Sequence, residues 1–207
     1  PVTREYFAAR AEVEPPELAA AMRALATSGD TLPTEAVAVV EREPSLAATL
    51  RTTCVATLVE GGTRVNALPA SAKANVNCRI LPDETVDSTE RRIARLAGDA
   101  AIRVRRREDF GAGPPSPTDG EAVAAIRKVV EEMWPGTPVI PHMSLGATDS
   151  RFLRRSGVAA YGINPVALTE ADARRAHGVD ERIPAASLRP AVEFFYRLVV
   201  ELAADRS

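Results

Sequence analysis

The sequence predicts an α+β unit followed by a shorter α/β segment. Three observations carry this reading. In residues 1–45 apolar side chains recur at helical spacing. Two later stretches alternate apolar and polar residues on either side of a turn-rich segment. After the Gly/Pro-rich stretch 111–118 the order becomes helix, strand, helix, strand, helix, as in a parallel layer.

The first long helix is expected from Pro15-Pro16, with Leu18, Met22 and Leu25 on one face and Gly29 as its stop. A second is expected over Thr34–Arg42, ending before Pro44. Ahead of them the chain offers at most a strand stub at Pro1–Arg4. Residues 51–59, rich in Thr and Val, read as a strand. Residues 71–81 read as its antiparallel partner, with Ala72, Ala74, Val76, Cys78 and Ile80 on one face. Asp87 and Glu90 have capping-box spacing for a helix that carries Ile93 and Leu96 and closes at Gly98. Ile102–Arg105 reads as a further strand.

The stretch 111–118 is the expected domain boundary. Beyond it Thr118 and Glu121 form a second capping box for a helix faced by Val123, Ile126, Val130 and Met133. Short strands are expected at Pro138–Ile140 and Val158–Ile163, with a helix near Ser150–Ser156 between them. A final helix, Ala185–Ala203, shows an apolar face of Leu188, Val192, Phe195, Val199 and Leu202.

Composition narrows the function. The net charge of −2 gives no bulk attraction to nucleic acid or membrane, and 4% aromatic content weakens any base-stacking role. No apolar run reaches the roughly 20 residues of a membrane span. Cys54 and Cys78 form no metal-binding motif and read as buried free thiols in a reducing compartment, so a cytoplasmic location is expected. The chain opens at Pro1 without Met, as a processed chain or a piece of a longer one would.

Few residues could carry chemistry. His177, in a polar loop before the last helix, reads as a solvated histidine or as an imidazole presented to a cleft. His142 ends an expected strand, where α/β sites lie, but it reads first as an ordinary, partly buried or exposed non-ligand. Thr148 or Asp149 would cap the helix that follows, whose N-terminus together with Arg151 could hold a carboxylate. Asn66 reads as a turn asparagine and Arg79 as a charge on the open strand face. Ser144, Asp149 and His177 permit a triad, which the absence of a G-x-S-x-G elbow discounts.

Taken together, these segments resemble the M20 metallopeptidases, in the branch of aminoacylase-1 and carboxypeptidase S. RTTCVATLVEGG, Asn66-Ala67-Leu68-Pro69-Ala70 and the strand from Ala72 through Asn77, Arg79 and Pro82 are similar to the hairpin of the family's lid domain. Gly146-Ala147-Thr148-Asp149-Ser150-Arg151-Phe152, Tyr161-Gly162 and His177-Gly178-Val179-Asp180-Glu181-Arg182 are similar to the end of its catalytic domain.

The resemblance implies residues 1–112 as a lid and dimerisation domain lacking its first strand, and 113–207 as the C-terminal part of an α/β zinc-peptidase domain. It implies two zinc ions, a homodimer formed through the lid, and metal-activated water cleaving amides beside a carboxylate in N-acyl amino acids or small peptides. His177 would be a zinc ligand. Asn66 and Arg79 would face substrate from the lid, and Gly146, Thr148 and Arg151 would surround its carboxylate or the oxyanion. The family's remaining ligands and general-base glutamate have no counterpart in this sequence. The chain alone is therefore expected to be inactive and to expose apolar surface. The rival expectation is a non-catalytic, lid-like dimerisation or ligand-binding module.

Overall fold

A computed structural model describes residues 2–107 and 113–204. The elements run α1 (Val2–Arg10), α2 (Pro16–Thr27), α3 (Thr34–Val40), α4 (Pro44–Ala47), β1 (Thr53–Gly61), β2 (Ala72–Arg79), α5 (Val86–Ala97), α6 (Glu121–Met133), α7 (Ser150–Arg155), α8 (Glu170–Ala173) and α9 (Leu188–Ala203). Helices with one antiparallel hairpin give the expected α+β class. Contacts divide the chain into two compact units, Pro1–Pro115 with Pro141–Val158, and Ser116–Ile140 with Ala159–Ser207. Residues 141–158 thus cluster with the first unit.

In the first unit α1 packs on α2 and α2 on α3. Their inward residues include Tyr6, Phe7, Met22, Leu25 and Val40, and Leu46 of α4 is buried as well. Thr49 is buried too, and its hydroxyl donates to the Leu46 carbonyl at 2.7 Å, so burial leaves it satisfied. The strand stub expected at the N-terminus is the start of α1 instead. Tyr6 and Phe7 supply the apolar anchor that holds this turn as helix against α2.

β1 and β2 pair antiparallel with Cys54 opposite Cys78 and Thr53 opposite Arg79. The register shifts between Ala56 and Leu58, so Thr57 is the extra residue of a bulge. Its hydroxyl accepts from Asn75 Nδ2 at 2.8 Å, which ties the bulge to the partner strand. The expectation of free, buried thiols is corrected. Cys54 and Cys78 form a cross-strand disulfide with Cα atoms 4.1 Å apart, and Cys54 is exposed. Direct opposition in the ladder brings the two Sγ atoms together, which a reading of each strand by itself does not reveal. The thiol argument for a reducing compartment falls with it.

The cap of α5 is also corrected. Thr85, not Asp87, is the N-cap: its hydroxyl accepts from Ser88 N at 3.0 Å while Ser88 Oγ accepts from Thr85 N at 3.1 Å. This reciprocal pair is worth about 1 kcal/mol. Asp87 and Glu90 instead bind Arg106. Gly98 closes the helix at φ 66°, as its position suggested. α6 begins at Glu121 behind Gly120, which holds the N-cap position.

Three expected strands form no ladder among the described residues. At 102–105 the reason is Arg106, which ties the segment to the first turn of α5. At 158–163 the backbone bonds elsewhere: Ser116 Oγ donates to the Ala160 carbonyl and accepts from its N–H, both at 2.9 Å. At 138–140, Val139 packs against the core of the second unit, and so does Ile163. That core is α6 against α9: Ala125, Ile126 and Val129 meet Phe194 and Leu198. Trp134 stacks on Phe194 with ring centroids 5.8 Å apart. The face expected to be buried on α9 is corrected by these contacts. Ala191, Phe194 and Leu198 are inward, while Val192 is 70% exposed and Val199 62%. The helix is apolar on two sides, and α6 covers only the one carrying Phe194. Among the described residues no helix is long and apolar enough to cross a membrane.

Candidate functional site

Four of the six candidate residues lie in and around one segment of the first unit. Arg79 ends β2 directly after the disulfide, and its guanidinium donates to the Leu145 carbonyl. This bond joins the base of the hairpin to a loop 66 residues further along the chain. Gly146 follows at once, its N–H donating to Ser144 Oγ at 3.1 Å. Thr148 precedes α7 and accepts from Arg151 N at 3.4 Å through its carbonyl. Asp149 occupies the N-cap position in helical conformation without a side-chain cap bond, so the capping expected of it is made by backbone alone. The Arg151 guanidinium lies 4.6 Å over the Phe152 ring, which restricts where its charge points.

The backbone at Gly113 sits close against α7. A Cβ on Gly113 would fall 2.8 Å from Arg154 Cβ, so only glycine permits the approach. Asn66 is not part of this group. It sits exposed in the turn at the far end of the hairpin, roughly 23 Å along β2 from Arg79 at 3.3 Å per residue.

His142 opens the same loop and packs edge-on against Tyr6, ring centroids 5.2 Å apart. Burial holds its pKa below the usual histidine value, and the charge of Arg10 adds to the effect. The neutral imidazole is therefore the form that fits. Because the folded pKa is depressed, the unfolded chain takes up the proton first. Stability is expected to fall as pH drops below about 6.5. Melting temperature measured at neutral and mildly acidic pH checks this: His142→Gln should lose less on acidification than the parent, and equal losses would count against it.

His177 belongs to the second unit. It is exposed, at φ 63°, in the left-handed region that non-glycine residues seldom occupy. Asp180, three residues on, has φ 58°. Local bonds hold the loop in this form. The His177 N–H donates to Glu181 Oε2 at 3.1 Å, Gly178 N–H to the Arg175 carbonyl at 2.8 Å, and Arg175 pairs with Asp180 at 3.8 Å. The preceding turn is pinned by Asp172, which accepts from Thr169 Oγ1 at 2.6 Å and from Arg182 at 3.1 Å. These bonds, that from Thr169 first, hold the Asp172 carboxyl below the usual range. Two non-glycine residues at positive φ within four positions are the kind of local strain that collects at functional loops.

Sequence reasoning missed two partners. Glu181 could have been suspected from its place four residues after His177. The Leu145 carbonyl could not, since a backbone acceptor leaves no side-chain signal. Among the described residues no three His, Cys, Asp or Glu side chains come together as a metal would require.

Comparison with known proteins bears on what these loops are. The profile of peptidase family M20/M25/M40 matches residues 5–201. The chain is 30% identical over 169 residues to the human N-fatty-acyl-amino acid synthase/hydrolase PM20D1, covering 80% of this chain and 34% of that protein. It is 25% identical over 162 residues to a probable carboxypeptidase S-like protein of Dictyostelium discoideum, covering 78% and 31%. With human aminoacylase-1 the identity is 28% over 152 residues, covering 71% and 36%. The chain thus spans about a third of the length of these relatives. The crystal structure of an M20 family metallo-carboxypeptidase from Sulfolobus solfataricus superposes with a TM-score of 0.49 at 17% identity, over 96% of this chain and 43% of that one. With the family profile covering nearly its whole length, the chain belongs to peptidase family M20/M25/M40.

Proposed function

We propose that the chain is part of a zinc-dependent hydrolase that cleaves amide bonds beside a carboxylate, in N-acyl amino acids or small peptides. The relatives' names share this chemistry: an N-acyl amino acid, a peptide C-terminus and an aminoacylase substrate each carry an amide next to a free carboxylate. The observation that supports the reading is the bond from Arg79 to Leu145, which ties a charged hairpin base to the stretch that runs on through Gly146 and Thr148 into Arg151 of α7.

In this reading the Thr148 hydroxyl and Arg151 guanidinium bind the substrate carboxylate. Gly146 lets the backbone approach closely, and Arg79 acts as a positioning residue. Asn66 is too far along the hairpin to share that segment, which supports its reaching substrate in the site of a second copy. Exposed Val55, Leu58, Val59 and Val76 on a hairpin with open edges support the same homodimer. The same proposal takes residues 1–112 as the lid and 113–207 as the C-terminal part of the catalytic domain.

The described residues do not by themselves fit a zinc centre, which needs about three protein ligands. His177 supplies one imidazole, the other ligands would come from outside the described residues, and the chain alone is expected not to turn over. The reading is tested by assaying the full-length protein on N-acyl amino acids and dipeptides with zinc supplied. Hydrolysis is expected, and its absence on both substrate classes would leave the lid-like binding module. Arg79→Ala should raise KM about tenfold through the loosened loop, an exposed charged hydrogen bond being worth about 1.5 kcal/mol, with Arg79→Lys intermediate. Unchanged kinetics in Arg79→Ala would remove it from the site.

A further inference from the structure

The net charge of −2 conceals an uneven distribution. Residues 91–107 hold seven arginines and one acidic residue, Asp99, a local charge of +6. α5 turns Val86, Thr89, Ile93 and Ala97 inward, all of them buried or half-buried. At about 100° per residue these positions share one side of the helix. Arg91, Arg92 and Arg95 fall on the other side, and all three are exposed. Arg106 draws the following segment back along the helix by holding Asp87 and Glu90. That pairing occupies one arginine of the seven. Arg91, Arg92, Arg95, Arg103, Arg105 and Arg107 are exposed and have no ion-pair partner among the described residues. The same stretch of chain exposes two aliphatic side chains, Leu96 at 78% and Ile102 at 53%.

We infer that this face docks on an anionic phospholipid bilayer. The arginine forks bind headgroup phosphates, for which a planar guanidinium is suited, and Leu96 and Ile102 enter the acyl boundary. The chemistry separates this partner from two others. No aromatic side chain occurs between residues 86 and 107, so single-stranded nucleic acid would find no stacking platform. An acidic protein surface would satisfy the charges but offer the two aliphatic side chains no apolar medium. The attachment is peripheral and lies outside the residues assigned to substrate or metal.

The test is sedimentation of the 207-residue chain with vesicles of phosphatidylcholine alone or enriched in phosphatidylserine. Binding is expected only to the anionic vesicles and should weaken as salt rises. A triple variant, Arg91→Glu with Arg92→Glu and Arg95→Glu, should partition at least about 100-fold less, at roughly fivefold for each basic residue near the surface. Its helical circular dichroism should match the parent, because all three side chains point to solvent. Leu96→Ser with Ile102→Ser should weaken binding several-fold and leave the salt dependence unchanged. Equal binding to neutral vesicles, full binding by the triple variant, or displacement from anionic vesicles by single-stranded RNA or polyglutamate at matched charge would overturn the inference.

Discussion

Replacing His177 by asparagine in the full-length protein is expected to lower hydrolysis of N-acyl amino acids by more than about 100-fold while leaving the fold intact. The choice of asparagine follows from the backbone. His177 sits at φ 63°, a conformation that asparagine tolerates and alanine does not. His177→Ala should therefore destabilise the loop by about 1 kcal/mol in addition to removing the imidazole. His177→Asn removes the imidazole alone. Changing a residue that only orients a metal ligand already costs 10–100-fold, so loss of a ligand itself should exceed that range. Activity within a few-fold of the parent in His177→Asn, at unchanged melting temperature, would leave the residue as a solvated loop histidine.

Phe194→Ala should destabilise the 207-residue chain by about 3–5 kcal/mol, a large part of the stability of an ordinary domain. Phe194 is 1% exposed and stacks on Trp134 within the α6–α9 core, so truncation opens a cavity that two helices cannot readily close. Phe195→Ala is the matched control. Phe195 is 44% exposed, and its loss should cost less than about 1 kcal/mol. Urea unfolding of both variants decides which side of α9 is inward. A larger loss in Phe195→Ala would restore the stripe that sequence periodicity favoured.

That stripe shows where sequence reading runs out. The existence of α9 was legible from its periodic apolar residues. Its orientation was not, because a helix apolar on two sides offers two faces, and only the position of α6 chooses between them. The hairpin was legible because each strand alternates on its own. The Cys54–Cys78 disulfide was not, since it depends on the register between strands and not on either strand. Thr85 is masked as a cap in the sequence by the capping-box spacing of Asp87 and Glu90, whose carboxylates instead serve Arg106. The strand expected at 158–163 has the right composition, but its backbone bonds to Ser116, a partner that periodicity cannot name.

The candidate site divides in the same way. Thr148 and Arg151 were marked by local chemistry as well as by motif order, and Gly146 by motif order alone; the structure has Gly146 and Thr148 in the loop before α7 and Arg151 in that helix's first turn. The role of Arg79 was only half legible. Its charge was visible, whereas its acceptor is a carbonyl 66 residues away. His177 stood out as one of two histidines, and its positive φ, which separates it from an ordinary loop histidine, is a property of the folded backbone.

Zinc content tests whether His177 is a metal ligand. Full-length protein and its His177→Asn variant should be equilibrated with zinc, freed of unbound metal, and analysed for zinc per chain. Two zinc ions per chain are expected in the parent and a loss of about one in the variant, with both proteins folded. Equal zinc in the two would contradict the assignment of His177 as a ligand.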